Sequence, residues 1–368
     1  MGKNKSFRLK KRETILTLVL LVMLLYSAPL IKIKINRFRT LSSLKVLSNQ
    51  GVYFMTYKLD YKLDNYLKRG SENINQLYDF IDKATAIPLI NNNSTTVYAP
   101  KIEDNESYYE DEECSAFSTF DNKGSMLFAR NLDLKGKHPI LALYTNPSKG
   151  YSSISIVEMT TLGLTNDNGK LLTSLKQYDE RTPLLRAPYM PRDGMNEKGL
   201  VVATLNVPNE KIIYDISKPV LGRWQVLRLL LDKAATVEEA LALMKNYNCF
   251  DGSVHFFIAD CWGNSAVVEY VDGKMKVIRS DENFQVVTNF YLSKKERSGK
   301  GKERYNTAYT LLSSTNGNID EVDAMKILKS VKEDSTVYSI IYNQGTGNVY
   351  LAYNGNYDNV YKFNLKIQ

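Results

Sequence analysis

Cys114 carries the most reactive side chain in a chain nearly without imidazole. The 368 residues include two histidines, His138 and His255, and three cysteines, Cys114, Cys249 and Cys261. A multi-histidine metal centre is therefore nearly excluded, and no cofactor or metal is expected. A papain-type pair fits badly, because neither histidine has an obvious orienting partner. His255 sits mid-strand in Val254-His255-Phe256-Phe257 and reads as structural. A lone cysteine is most often a small buried hydrophobe. Cys114, however, directly follows Glu103, Asp104, Glu106, Glu110, Asp111, Glu112 and Glu113, a charge run of the kind that forms a solvated linker. If the chain is cut before it, Cys114 carries a thiol and a free α-amino group. Their ordinary pKa values are about 8.5 and about 7.7–8.0. One residue then supplies both nucleophile and general base.

Other polar residues follow Cys114 in a particular order. In CSAFSTFDNKGSMLFARNLD (114–133), Arg130 and Asp133 stand in an R-N-x-D grouping. The segment DGMNEKGL (193–200) leads to Leu205-Asn206-Val207-Pro208, Val286-Val287-Thr288 ends on Asn289, and Glu303-Arg304 follows. Taken singly, Arg130 and Arg304 read as surface charges, and Asp133, Asn196 and Asn206 as turn residues. Taken together, the segments resemble the choloylglycine hydrolase family of N-terminal-nucleophile amidases. That family includes bile salt hydrolases, penicillin V acylases and the acid ceramidase and N-acylethanolamine amidase relatives. The resemblance covers about 114–365 and nothing earlier.

The resemblance implies an αββα sandwich and an enzyme that cleaves a linear, non-peptide C–N amide bond. It implies Cys114 as nucleophile, exposed by autocatalytic cleavage after Glu113. Arg130 and Arg304 would place positive charge near the sulfur, Asp133 would hold the α-amino group, and Asn206 with Asn289 would donate to the oxyanion. The expected partner is a small-molecule N-acyl amide, with lipophilic chemistry suited to a membrane-anchored enzyme. From another class, a membrane-anchored, non-catalytic module on the same fold would bind an acyl ligand or a partner.

These side chains need elements to position them. The Asp121-Asn122-Lys123-Gly124 turn predicts a hairpin of 114–120 with 125–131. With Phe120 opposite Ser125, Cys114 falls opposite Asn131. Arg130 and Asp133 then cannot both face the sulfur on a straight strand. Further strands are expected at 201–205, 254–259, 266–270, 275–278, 285–288, 337–342, 349–353 and 360–363. Helices are expected at 220–233, 237–247 and 319–332, the second capped by Thr236 with Glu239 three residues on. Strand runs with helices grouped between them indicate an α+β fold. Cys249 and Cys261 flank a strand, and a disulfide between them is the weaker reading.

Upstream, residues 40–90 read as helical, with apolar Leu59, Leu63, Tyr66 and Leu67, then Ile74, Leu77, Phe80 and Ile81, at helical spacing. Thr14–Ile31 is an uncharged, mostly apolar stretch at the short end for a membrane span. Six basic residues precede it, so a signal anchor places the N-terminus in the cytoplasm and the rest outside the cell. A cleaved signal peptide is the rival, against which Pro29 stands just past Tyr26-Ser27-Ala28. The organisation expected is a basic tail (1–13), an anchor (14–31), a helical pro-region with acidic linker (32–113) and an amide hydrolase domain (114–368). The net charge of +8 comes from 48 basic and 40 acidic residues. The basic tail explains much of it, and the loop cluster of Lys294, Lys295, Arg297, Lys300 and Lys302 is too short for a nucleic-acid face. That cluster reads as a mobile loop near the substrate mouth.

Overall fold

Alternation along the strands sets the layers. The computed structural model describes residues 28–85, 112–164, 170–171, 174–211, 213–250, 253–296 and 299–368. Its elements run as helix α1 (to residue 42), β1 (Lys45–Ser48), β2 (Val52–Tyr57), α2 (Leu63–Arg69), α3 (Ile74–Thr85), β3 (Glu113–Phe120), β4 (Met126–Asp133), β5 (Ile140–Thr145), β6 (Ser153–Glu158), β7 (Pro191–Asn196) and β8 (Val201–Asn206). They continue as β9 (Val220–Leu221), α4 (Arg223–Lys233), α5 (Val237–Met244), β10 (Asn248–Cys249), β11 (Val254–Ala259), β12 (Ser265–Val271), β13 (Lys274–Ile278) and β14 (Gln285–Val287). Then come α6 (Lys302–Ser314), α7 (Glu321–Ser330), β15 (Thr336–Asn343), β16 (Asn348–Tyr353) and β17 (Asn356–Asn364).

On β8, Val201, Ala203 and Leu205 enter one core while Val202 enters another. On β4, Met126, Phe128 and Leu132 enter that first core while Leu127 and Ala129 face a third. Strands apolar on both faces belong to sheets covered on both sides. Fifteen of the strands form a nine-stranded sheet, β1-β2-β5-β6-β7-β8-β11-β12-β13, stacked on a six-stranded sheet, β14-β3-β4-β15-β16-β17, while β9 and β10 pair with each other in parallel. Helices α2 to α5 cover the outer face of the large sheet, and α6 and α7 that of the small one. The result is the expected α+β class in four layers, helix–sheet–sheet–helix. Thr236 caps α5 as expected, its Oγ1 accepting from the Glu239 N–H at 3.1 Å.

The stretch before Cys114 differs from its helical reading. Leu63, Tyr66 and Leu67 are buried on α2, and Ile74, Leu77 and Ile81 on α3, as the spacing predicts. Residues 45–57, in contrast, form the β1–β2 hairpin. β2 runs parallel to β5, from Val52 beside Ile140 to Tyr57 beside Thr145. The run VYFMTY is aromatic and β-branched, which favours a strand, and the helical spacing begins only at Leu59. Gly51 makes the turn possible: its φ is 119°, and a Cβ there would meet Pro139 Cα at 3.2 Å. Strands β5, β6, β7, β9 and β10 and the body of α6 also depart from the expected elements. Of the expected anchor, residues 14–27 lie outside the described residues, as do the polar loop 91–96 and the acidic run 103–111. Among the described residues no helix is long and apolar enough to cross a membrane.

Candidate active site

Strand register decides which side chains meet Cys114. Phe120 pairs with Met126 rather than Ser125, so Cys114 stands opposite Leu132 and Glu113 opposite Asp133. The turn explains the shift: Asp121 Oδ1 accepts from the Lys123 and Ser125 N–H groups at 2.8 and 2.7 Å, drawing Ser125 into the loop. Cys114 now shares a face with its diagonal neighbour Arg130. The Arg130 Nη2 donates to Cys114 Sγ at 3.0 Å, and both residues are fully buried.

Asp133 lies on the opposite face, beside Glu113, so the alternation argument holds. It accepts from Thr336 Oγ1 at 2.6 Å and pairs with Arg304 Nη1 at 3.0 Å. Arg304 Nη2 donates to Asn289 Oδ1 at 3.1 Å, and that oxygen also accepts from the Cys114 N–H at 2.8 Å. Asp133 is thus linked to the Cys114 nitrogen through Arg304 and Asn289. The Asn289 Nδ2 donates to the Asn206 carbonyl oxygen at 2.8 Å. The Asn206 side-chain oxygen accepts from Arg223 of α4, which orients its amide. All six residues expected at the site, Cys114, Arg130, Asp133, Asn206, Asn289 and Arg304, join one connected network. Asn206 comes from the large sheet, and Cys114, Arg130 and Asp133 from the small one.

Further residues belong to this network. Asp193 of β7 receives Arg130 Nη1 at 3.0 Å and the hydroxyls of Tyr338 and Tyr342. Glu112 is buried, not solvated: its Oε2 meets Arg192 Nη1 at 2.8 Å and its Oε1 lies 3.8 Å from Cys114 Sγ. Arg192 also meets Glu158 Oε2 at 3.5 Å and stacks over the Trp224 ring at 4.8 Å. Glu113 pairs with Arg304 at 2.6 Å and Lys300 at 3.1 Å. Glu112 and Glu113 were hidden by the carboxylates before them, and Arg192-Asp193 by the turn that follows. Of the loop cluster, Arg297 lies outside the described residues, while Lys294 pairs with Glu210.

Electrostatics follow the burial. Desolvation pushes the Cys114 thiol up to about 12, opposed by Arg130 and reinforced by Glu112. Desolvation also raises the Asp133 carboxyl to about 6, opposed by the Thr336 hydrogen bond and Arg304. Away from the site, His255 is buried against Glu269 Oε1 at 2.8 Å. Asn196 closes its turn by accepting from the Lys198 and Leu200 N–H groups at 3.0 and 3.1 Å. Cys249 and Cys261 are free thiols.

Comparison with known proteins adds family to geometry. Residues 114–291 match the model of the linear amide C–N hydrolases, choloylglycine hydrolase family. A penicillin V acylase of Pectobacterium atrosepticum is 33% identical over 111 residues, 26% of this chain and 29% of that protein. A bile salt hydrolase/transferase of Clostridium perfringens is 36% identical over 112 residues, 26% of this chain and 32% of that protein. The chain thus matches about a third of the length of these curated relatives. A penicillin V acylase structure from Agrobacterium tumefaciens superposes with a TM-score of 0.48 at 18% identity, covering 68% of this chain and 86% of that one. Over residues 114–291 the chain is thus similar to the choloylglycine hydrolase family of linear amide C–N hydrolases.

Proposed function

We propose that this protein hydrolyses a linear, non-peptide N-acyl amide, with Cys114 as an N-terminal nucleophile released by cutting the Glu113–Cys114 bond. The observation that carries the reading is the pairing of a buried thiol with Arg130 at 3.0 Å, on a residue whose backbone nitrogen is held by Asn289 at 2.8 Å. A guanidinium against a sulfur stabilises its thiolate. In the uncut chain burial keeps the sulfur protonated, and the nitrogen is an amide with no basic lone pair. Cutting turns that nitrogen into an amine.

Maturation and turnover then use the same groups. In maturation Sγ attacks the Glu113 carbonyl carbon, the C–N bond breaks, Cys114 gains its amine, and water hydrolyses the thioester to leave a carboxylate on Glu113. In turnover the α-amino group takes the thiol proton, Sγ attacks the substrate carbonyl, and the proton passes to the leaving amine. Water then clears the acyl thioester. In this reading Asn289 and Asn206 donate to the tetrahedral oxyanion, where a lost donor costs about 10²–10³ in rate. Asp133 holds Arg304 and, through it, the region where the new amine forms. The 14–31 segment is proposed as an anchor that leaves the catalytic part outside the cell.

N-terminal sequencing of the active protein tests the reading. The expected sequence begins CSAFSTF, and Cys114→Ala should remain one uncut, inactive chain. Active protein with an intact 113–114 bond would overturn it.

A further inference from the structure

The Arg192 guanidinium is a buried cation whose nearer carboxylate partner lies ahead of the proposed cut. Glu112 bridges Arg192 Nη1, at 2.8 Å, and the neighbourhood of the nucleophile, with Oε1 3.8 Å from Cys114 Sγ. The Arg192 position is tied to the site by its own backbone, since its carbonyl oxygen accepts from Arg130 Nη1 at 3.0 Å. Both members of the Arg192–Glu112 pair are almost fully buried. An ion pair at such depth survives because each charge satisfies the other, and Arg192 also meets the buried Glu158 at 3.5 Å.

We propose that Arg192 is the specificity residue of the mature site and selects amides whose acyl half carries a carboxylate close to the scissile carbonyl. The inference rests on the proposed cut, which separates Glu112 from Cys114. In the uncut chain the Glu112 carboxylate stands where the substrate's carboxylate will stand. It belongs to the acyl side of the bond that is cut, so the substrate group it foreshadows is on the acyl side too. The separation from Sγ leaves room for only a short spacer, as in a succinyl or glutaryl amide. After Glu112 leaves, Arg192 retains Glu158 at 3.5 Å and the Trp224 face at 4.8 Å. The side chain is thereby held ready, and the substrate carboxylate takes the position that Glu112 held at 2.8 Å. The planar guanidinium suits two-pronged binding of a carboxylate.

The test uses the processed full-length protein and two pairs of chromogenic anilides: succinyl against butyryl, and glutaryl against valeryl. Each pair differs in a terminal carboxylate against a methyl group. The wild type should prefer the acid member, and Arg192→Met should lower kcat/KM for that member about 10- to 100-fold more than for its methyl partner, mainly through KM. A second measurement needs no variant. Glutarate should slow alkylation of Cys114 by iodoacetamide, while glutaramide should not. Hydrolysis of the methyl-ended anilides at equal or greater rate, with no protection by glutarate, would overturn the role of Arg192 and leave the hydrolase reading intact. Absence of the cut at Cys114 would instead overturn the reading on which it rests.

Discussion

Cutting between Glu113 and Cys114 should yield two pieces that remain one particle. The piece ahead of the cut places thirteen side chains, from Leu41 to Ile81, in the core beneath the large sheet, together with Leu141, Leu227 and Leu230 from beyond the cut. A fully buried large apolar side chain contributes about 1.5–3 kcal/mol. If half of that burial is against the other piece, association gains roughly 10–20 kcal/mol, against a cost of about 4–15 kcal/mol for lost freedom. The β2–β5 ladder and polar ties such as Tyr61 Oη to Asp232 Oδ2 at 2.5 Å add to the favourable side. Met55, fully buried on β2, is the perturbation of choice. Met55→Ala should cost about 2–5 kcal/mol and weaken the complex about 30-fold or more. The assay is size-exclusion chromatography of processed protein over a dilution series, with denaturing gels of each fraction. Wild type should give one peak with two bands, and Met55→Ala should dissociate at higher concentration. Wild-type pieces that elute apart in native buffer would refute the reasoning.

Arg130→Met should remove the sulfur's guanidinium and strand the buried Asp193 charge, costing about 3–5 kcal/mol of stability; thermal melts of the uncut chain read it, and an unchanged Tm would contradict the pairing. Asp133 has a folded pKa of about 6, above its unfolded value of about 3.9, so its favourable contribution is complete below pH 4 and is lost as the pH rises through 6. Urea titrations should therefore show wild type losing up to about 3 kcal/mol relative to Asp133→Asn between pH 4 and 7, and parallel profiles would refute it. Glu112→Gln should make the uncut Cys114 thiol ionise at lower pH, because the adjacent carboxylate helps to raise it; alkylation rate against pH in uncut protein measures this. Protease treatment of intact cells should digest the catalytic part if the 14–31 segment anchors it outside, and protection would reverse that topology.

Much of the second half of the chain is legible in its sequence. The strands from Val201 onward alternate or run apolar between clear turns, and Thr236 announces its helix by a cap. The site residues are legible only as an ordered set, since one arginine or asparagine carries no signal of burial. The register of β3 against β4 was not legible, because it depends on how Asp121 folds the turn around Lys123 and Ser125. Glu112 was hidden for a different reason. Its partner Arg192 stands eighty residues later, and a buried ion pair leaves no local pattern on either member. The β1–β2 hairpin was obscured by the helical spacing that starts at Leu59, and β2 finds its parallel neighbour only across the whole β3–β4 excursion.

The cluster around Asp193 sets the alignment of the two halves of the site. Packed apolar faces attract without direction, so two stacked sheets held by them alone could shift past one another at small cost. Asp193 stands on the large sheet, and its carboxylate is gripped by Arg130, Tyr338 and Tyr342 from adjacent strands of the small one. This acts as a locating pin: any slide long enough to separate Cys114 from Asn206 must first break several buried hydrogen bonds to one charge. The core around it can then exchange one apolar residue for another and drift in sequence, while the spacing between Cys114 on one sheet and Asn206 on the other is kept.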